Sequence, residues 1–117
     1  MERIDEWERE FAERAAQAKA LAERTAGLSA TAEDADGLIE VTVGSNGQVT
    51  GLRLDEGIRR QPAATTARQI LAAIRAAKAE LTRQFQLVTA ETVGVDSETG
   101  RAVMAGLAAR LTDEESK

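Results

Sequence analysis

From Pro62 to Gly94 the chain carries one unbroken amphipathic pattern, and that stretch constrains the fold more than any other. Ala67, Ile70, Ile74, Ala77, Leu81, Phe85 and Val88 recur at three- and four-residue steps, which a helix of 3.6 residues per turn gathers into one stripe. Pro62 suits the opening of such a helix, because its fixed φ is already helical and its missing N–H is not needed there. About 30 residues rising 1.5 Å each make a rod of ~45 Å.

The rod has only short strands to pack on. Ile39, Val41 and Val43 alternate with Glu40 and Thr42 between two turn signals, Asp34-Ala35-Asp36-Gly37 and Ser45-Asn46-Gly47. Leu52 and Leu54 resume the alternation with Arg53 outward, while Val49 falls on the other parity, so a bulge is expected at Gly51. Leu28 to Glu33 alternates weakly and supplies a first strand, which completes a three-stranded antiparallel meander. The central strand spans only ~23 Å at 3.3 Å per residue. The helix therefore overshoots its sheet, and a second copy of the chain is the simplest cover for the remaining stripe. An intertwined or side-by-side homodimer is expected.

Ahead of the sheet, Ile4, Trp7, Phe11, Ala15, Ala18, Leu21 and Ala22 mark a helix from Glu2 to Thr25, with Gly27 where a C-cap belongs. Asp5 with Arg9, Glu10 with Arg14 and Lys19 with Glu23 are spaced as one-turn ion pairs on its outer side. Ile4, Trp7 and Phe11 lie on the apolar stripe, so core or dimer packing is expected of them, as it is of Ile70, Ile74, Leu81, Phe85 and Val88. A short helix from Arg101 to Leu111 presents Val103, Met104, Leu107 and Leu111 on one side. The 117 residues leave room for one core. The reading is a single α/β (α+β) domain over residues 1–112, followed by an acidic disordered tail over 113–117.

Composition removes whole classes of chemistry. With neither cysteine nor histidine, the chain has no disulfide, thiol nucleophile, histidine dyad or usual zinc site. No base is positioned to activate a serine or threonine. Gly44, Gly47 and Gly51 lack a Walker lysine and a following helix, and Asn46-Gly47 is a hairpin signal. Glu33, Asp34 and Asp36 are not spaced as an EF-hand loop and read as a turn. No catalysis, cofactor, metal or small-molecule substrate is expected. No apolar run approaches the ~20 residues of a membrane helix and the N-terminus does not read as a signal peptide, so a cytoplasmic protein without a membrane partner is expected. An aromatic share of 3% provides no stacking platform for single-stranded nucleic acid.

The net charge of −5 conceals a segregation. Residues 1–27 hold five basic and seven acidic side chains, and residues 28–57 hold one and six; residues 58–93 reverse this with six and two. The six are Arg59, Arg60, Arg68, Arg75, Lys78 and Arg83. On a helical wheel Arg68, Arg75, Lys78 and Arg83 fall roughly opposite the Ile70/Ile74/Leu81 stripe, interleaved with Ala72, Ala76 and Ala79. They are expected to form a solvated basic ridge. Such a ridge is either the outer face of an amphipathic helix or an electrostatic footprint for duplex phosphates.

The order helix, meander, long helix resembles the YbaB/EbfC family of bacterial nucleoid-associated proteins, in its Ala- and Arg-rich composition the actinobacterial type. The specific part of the likeness is Gly37-Leu38-Ile39-Glu40-Val41-Thr42-Val43 before the turn and Val49-Thr50-Gly51-Leu52-Arg53-Leu54-Asp55 after it. The resemblance implies a homodimer in the nucleoid whose protruding helices grip double-stranded DNA with limited sequence preference. It supplies no residue signature for the contact, so the six basic residues above are the candidates. A reading of another class stays open, in which an acidic dimeric adaptor binds another protein, such as a component of a specialised secretion system, through its apolar helix surface.

Overall fold

A computed structural model of the chain describes residues 2–115, with side chains from 5 to 112. Helix α1 (Glu2–Ala26) leads into strands β1 (Ser29–Glu33), β2 (Ile39–Gly44) and β3 (Val49–Leu54), and helices α2 (Ala63–Thr92) and α3 (Glu98–Glu115) follow. The strands form one antiparallel sheet in the order β1-β2-β3, the expected α+β meander. Between β3 and α2 a short 3-10 turn, Glu56–Arg60, is capped by Asp55, whose carboxylate accepts the Gly57 N–H at 2.8 Å.

Each turn is made by the residues that signalled it. Asp34 Oδ1 accepts the Ile39 N–H at 2.8 Å and closes the first hairpin. Gly47, at φ 84°, makes the second. The bulge is on β3: Thr42 pairs with Gly51 and Val43 with Val49, which leaves Thr50 as the extra residue beside the glycine. Because of it, Val49 returns to the same face as Leu52 and Leu54 despite its parity.

α2 lies over β1 and β2. Ile39, Val41 and Val43 are completely buried against Ala73, Ala77, Leu81 and Phe85 of the helix, with Ala30 of β1 and Leu107 of α3 closing the cluster. Ile70 and Ile74 pack on its margin half-buried, and Val88 is likewise half-buried. β3 is not covered. By register Val49, Leu52 and Leu54 face the helix side opposite Val43, Val41 and Ile39, yet they are 44%, 50% and 42% exposed.

The helical overshoot has a different cover from the expected one. Beyond the sheet, the second half of α2 is enclosed by this chain's own α1 and α3. Leu21 and Thr25 of α1 are buried there, and Arg24 pairs with Glu91 at 2.8 Å. Gly94, at φ 84°, turns the chain back, its N–H donating to Thr89 O at 2.8 Å. Ser97 then caps α3 by accepting the Gly100 N–H at 2.9 Å. α3 therefore starts before Arg101 and runs through Glu115, so the first three residues of the expected disordered tail are helical; residues 116–117 lie outside the described residues.

The molecule is long. Its extents are 74 × 23 × 18 Å and its radius of gyration is 19.0 Å, against about 13 Å for a compact chain of this length. The length comes from α1. Every side chain from Asp5 to Gln17 is exposed, including Trp7 and Phe11, which stack on each other at 5.8 Å between ring centroids and touch no core. Of the core or dimer packing expected for these two, packing in the chain's own core is corrected: α2 ends beside Arg14 and Gln17, and every described side chain of α1 before them is exposed. The side chain of Ile4 lies outside the described residues. None of the expected ion pairs along α1 forms; among the described residues Arg24–Glu91 is its only one.

Candidate nucleic-acid interface

The six basic candidates do not form one ridge. Arg59 and Arg60 sit in the 3-10 turn that delivers the chain to α2, and both are exposed. Arg59 Nε lies 3.2 Å from Glu56. Arg68 and Arg75 follow on α2, both exposed and seven residues, or ~10.5 Å of helical rise, apart. Arg68 Nη2 reaches the hydroxyl of Thr65 at 3.4 Å. Neither Arg60, Arg68 nor Arg75 has a carboxylate partner among the described residues.

Arg83 points outward, but its guanidinium forks onto Glu80 through two hydrogen bonds, 3.0 Å from Nε and 2.6 Å from Nη2. Those bonds hold the Glu80 carboxyl below the usual carboxylate range and raise Arg83 further. A charge answered so closely adds little to the field that a phosphate meets.

Lys78 corrects the helical wheel. It is 5% exposed, with Nζ 3.4 Å from the backbone oxygen of Leu111. The wheel places its Cα at the edge of the apolar stripe, and α3 lies across that edge. The lysine stem is therefore packed between helices, and its ammonium is held by the last described turns of α3, away from any external ligand.

Arg59 and Arg60 lie just before the start of α2, and Arg68 and Arg75 follow along its first half. Its first turn carries no acidic residue, and Pro62 precedes it with no side-chain cap. The unpaired N–H groups and the positive end of the helix dipole thus point toward the loop holding Arg59 and Arg60. From Gly57 to Ala79 the sequence contains no carboxylate. That acid-free run was the sequence signal for this corner, and counting charges over a wider block concealed it. Arg60, Arg68 and Arg75 are thus exposed along the N-terminal half of α2 without a carboxylate partner among the described residues, with the Glu56-paired Arg59 in the preceding turn and Asp36 nearby, hydrogen-bonded to Gln69.

A model of the YbaB/EbfC DNA-binding family matches residues 1–95. The chain belongs to this family. The match covers α1, the whole sheet and α2, so the sheet-and-helix unit just described is the family's own, while α3 lies beyond the matched stretch. No curated protein matches the chain. Among the described residues, no helix is long and apolar enough to cross a membrane, and no group of three or more Asp or Glu is placed to hold a metal ion.

Proposed function

We propose that the protein is a homodimeric, nucleoid-associated DNA-binding protein that contacts duplex phosphates with limited sequence preference and catalyses no reaction. The reading is carried by the positive corner of Arg59, Arg60, Arg68 and Arg75 at the α2 N-terminus, on a chain of a DNA-binding family. Guanidinium groups and helix N–H groups recognise phosphate geometry without reading base edges, so affinity follows charge and is largely blind to sequence.

The support for pairing lies on β3, and not on the far half of α2 as the helix length suggested. Val49, Leu52 and Leu54 form an apolar row on an edge strand, on the face where the helix layer stops short. Gln69, Ala72, Ala73 and Ala76 flank the β1 side of α2 beside Asp34 and Asp36. Leu71, opposite them on the wheel, overhangs the β3 side and is 55% exposed. An apolar row at an unpaired sheet edge is a surface that folded proteins normally cover, and a two-fold contact covers it on both copies at once.

Mobility shifts on random-sequence duplex at 50 and 200 mM salt test the DNA reading, and light scattering tests the dimer. Binding at the lower salt that weakens steeply at the higher is the expected result, with a mass of about twice 12.5 kDa. No shift of any duplex at 50 mM salt would remove the proposal.

A further inference from the structure

The N-terminal half of α1 is an arm with an apolar face that no other element covers among the described residues. Trp7 and Phe11 are 66% and 63% exposed, although aromatic side chains of this size each bury ~150–250 Å² when covered. Along the helix the stripe reads Ile4, Trp7, Phe11 and then Ala15, Ala18, Ala22. The steps repeat after eleven residues, a period of 3.67 per turn that keeps the stripe on one side of a nearly straight helix. Its first repeat is large and its second is small.

The small half borders a void. α1 and α3 both pack on α2 and leave between them an open groove of about 500 Å³, lined by Ala18 and Ala22 on one wall, Ala102, Val103 and Gly106 on the other, and Phe85. On the wheel Trp7 and Phe11 point to the same side of α1 as Ala18 and Ala22. The groove is thus in line with the aromatic pair but too far along the helix for the same copy to fill it.

From this we infer that the arm of one copy docks antiparallel in the α1–α3 groove of a second copy, reciprocally, with Trp7 and Phe11 as the side chains that fill it. Antiparallel pairing about a two-fold axis near residue 13 sets Phe11 against Ala15 of the second copy and Trp7 against Ala18, large on small. Charge agrees with shape. Residues 5–13 carry Asp5, Glu6, Glu8, Glu10 and Glu13 against Arg9 alone, whereas the groove's own lining holds one charged residue, Arg110, and the helix that forms its α1 wall carries Arg14 and Lys19. In that register Glu8 flanks Lys19 of the second copy and Glu10 flanks its Arg14, and none of these four has an ion-pair partner in its own chain among the described residues. The contact is separate from the β3 surface and does not depend on DNA; where it joins chains already paired through β3, the light-scattering mass rises above that of the dimer at the concentrations at which it forms.

Trp7 is the chain's sole tryptophan, and the chain has no cysteine, so the full-length protein carries its own probe and accepts new ones. Between about 1 and 100 µM the Trp7 emission is expected to move to shorter wavelength, reversibly on dilution. Phe11→Glu should abolish the movement while leaving the circular dichroism of the fold unchanged, since that side chain is exposed and stacks on Trp7. Leu52→Glu combined with Leu71→Glu, which spoils the β3 surface, should leave it intact. Under mild oxidation a mixture of Phe11→Cys and Ala15→Cys chains should form the mixed disulfide faster than either variant links to itself. Emission that stays at the wavelength of hydrated tryptophan across the whole range would overturn the inference, as would Phe11→Cys linking to itself faster than to Ala15→Cys.

Discussion

Replacing Arg60, Arg68 and Arg75 together with alanine separates contact from mere surface charge. All three side chains are exposed and without carboxylate partners among the described residues, so each contributes at most ~1 kcal/mol to folding, and alanine suits the two positions in α2. The variant should therefore unfold within about 1 kcal/mol of the parent in urea. DNA binding should change far more. If each of the three neutralises one phosphate, a dimer releases counterions from about six, and the slope of log affinity against log salt is about −5. Parent affinity then falls about 10³-fold between 50 and 200 mM salt. Fluorescence anisotropy titrations on a labelled random duplex should show that dependence in the parent and an almost flat, weak line in the variant. Lys78→Met is the control. It removes a positive charge from the same helix, but one that is buried beneath α3, so the slope should stay at the parent value. A triple variant with the parental slope, or a Lys78→Met chain whose slope flattens by a unit or more, would refute the assignment of the corner.

Three further outcomes follow from other contacts. Glu80→Gln removes the carboxylate that Arg83 holds at 2.6 Å, so the freed guanidinium should strengthen duplex binding and steepen the salt slope by up to about one unit per protomer, read in the same titration. Leu107→Ala truncates the one fully buried side chain that α3 contributes to the core among the described residues, and should lower the unfolding free energy by about 2–5 kcal/mol in a urea titration. Gly47→Ala forces a left-handed backbone on alanine, at a cost of about 1–2 kcal/mol, and sets its Cβ 2.7 Å from Leu111 Cδ2; α3 should loosen at that end, seen as faster amide exchange in residues 107–111.

The fold was legible wherever a residue's role is set by its neighbours in sequence. Pro62, Gly94, Asp34 and Asn46-Gly47 fix where helices and turns begin and end through local bonds, and alternation at Ile39, Val41 and Val43 fixes one face of a strand. What the sequence could not reveal was which element covers which face. The wheel grouped Lys78 with the outward ridge, yet the residue by itself lies at the edge of the Ile70/Ile74/Leu81 stripe. That edge is buried because α3 returns across it, a return that depends on Gly94 and on Leu107 finding the core. The same limit explains the dimer argument. Helix and strand lengths were read correctly, but the overshoot of α2 is enclosed by α1 and α3, while the row that stays bare is on β3, whose alternation looked like that of a covered strand. Trp7 and Phe11 were placed on the right stripe of a helix that outruns its neighbours.

The acids behind the net charge of −5 lie in two places: Asp34 and Asp36 border Gln69, Ala72 and Ala76 of α2 and Glu56 pairs with Arg59, while a second group is far away. The acids of residues 5–13 lie on the arm, which projects past the C-terminal end of α2, whereas Arg59, Arg60, Arg68 and Arg75 surround its N-terminal half. α2 itself is ~45 Å long, so most of its length separates the two groups. The Debye length is about 8 Å at physiological ionic strength, and charges several such lengths apart no longer sense one another through solvent. Under the proposed function, a phosphate approaching Arg60, Arg68 and Arg75 therefore meets those guanidinium groups and the helix terminus, opposed locally by Asp34 and Asp36, while the acidic arm is screened. At 10 mM salt, where the screening length grows to about 30 Å, the arm's carboxylates come within range of bound DNA. Below that concentration the steep salt dependence should level off, and Glu6→Gln with Glu10→Gln should restore it without altering binding at 150 mM.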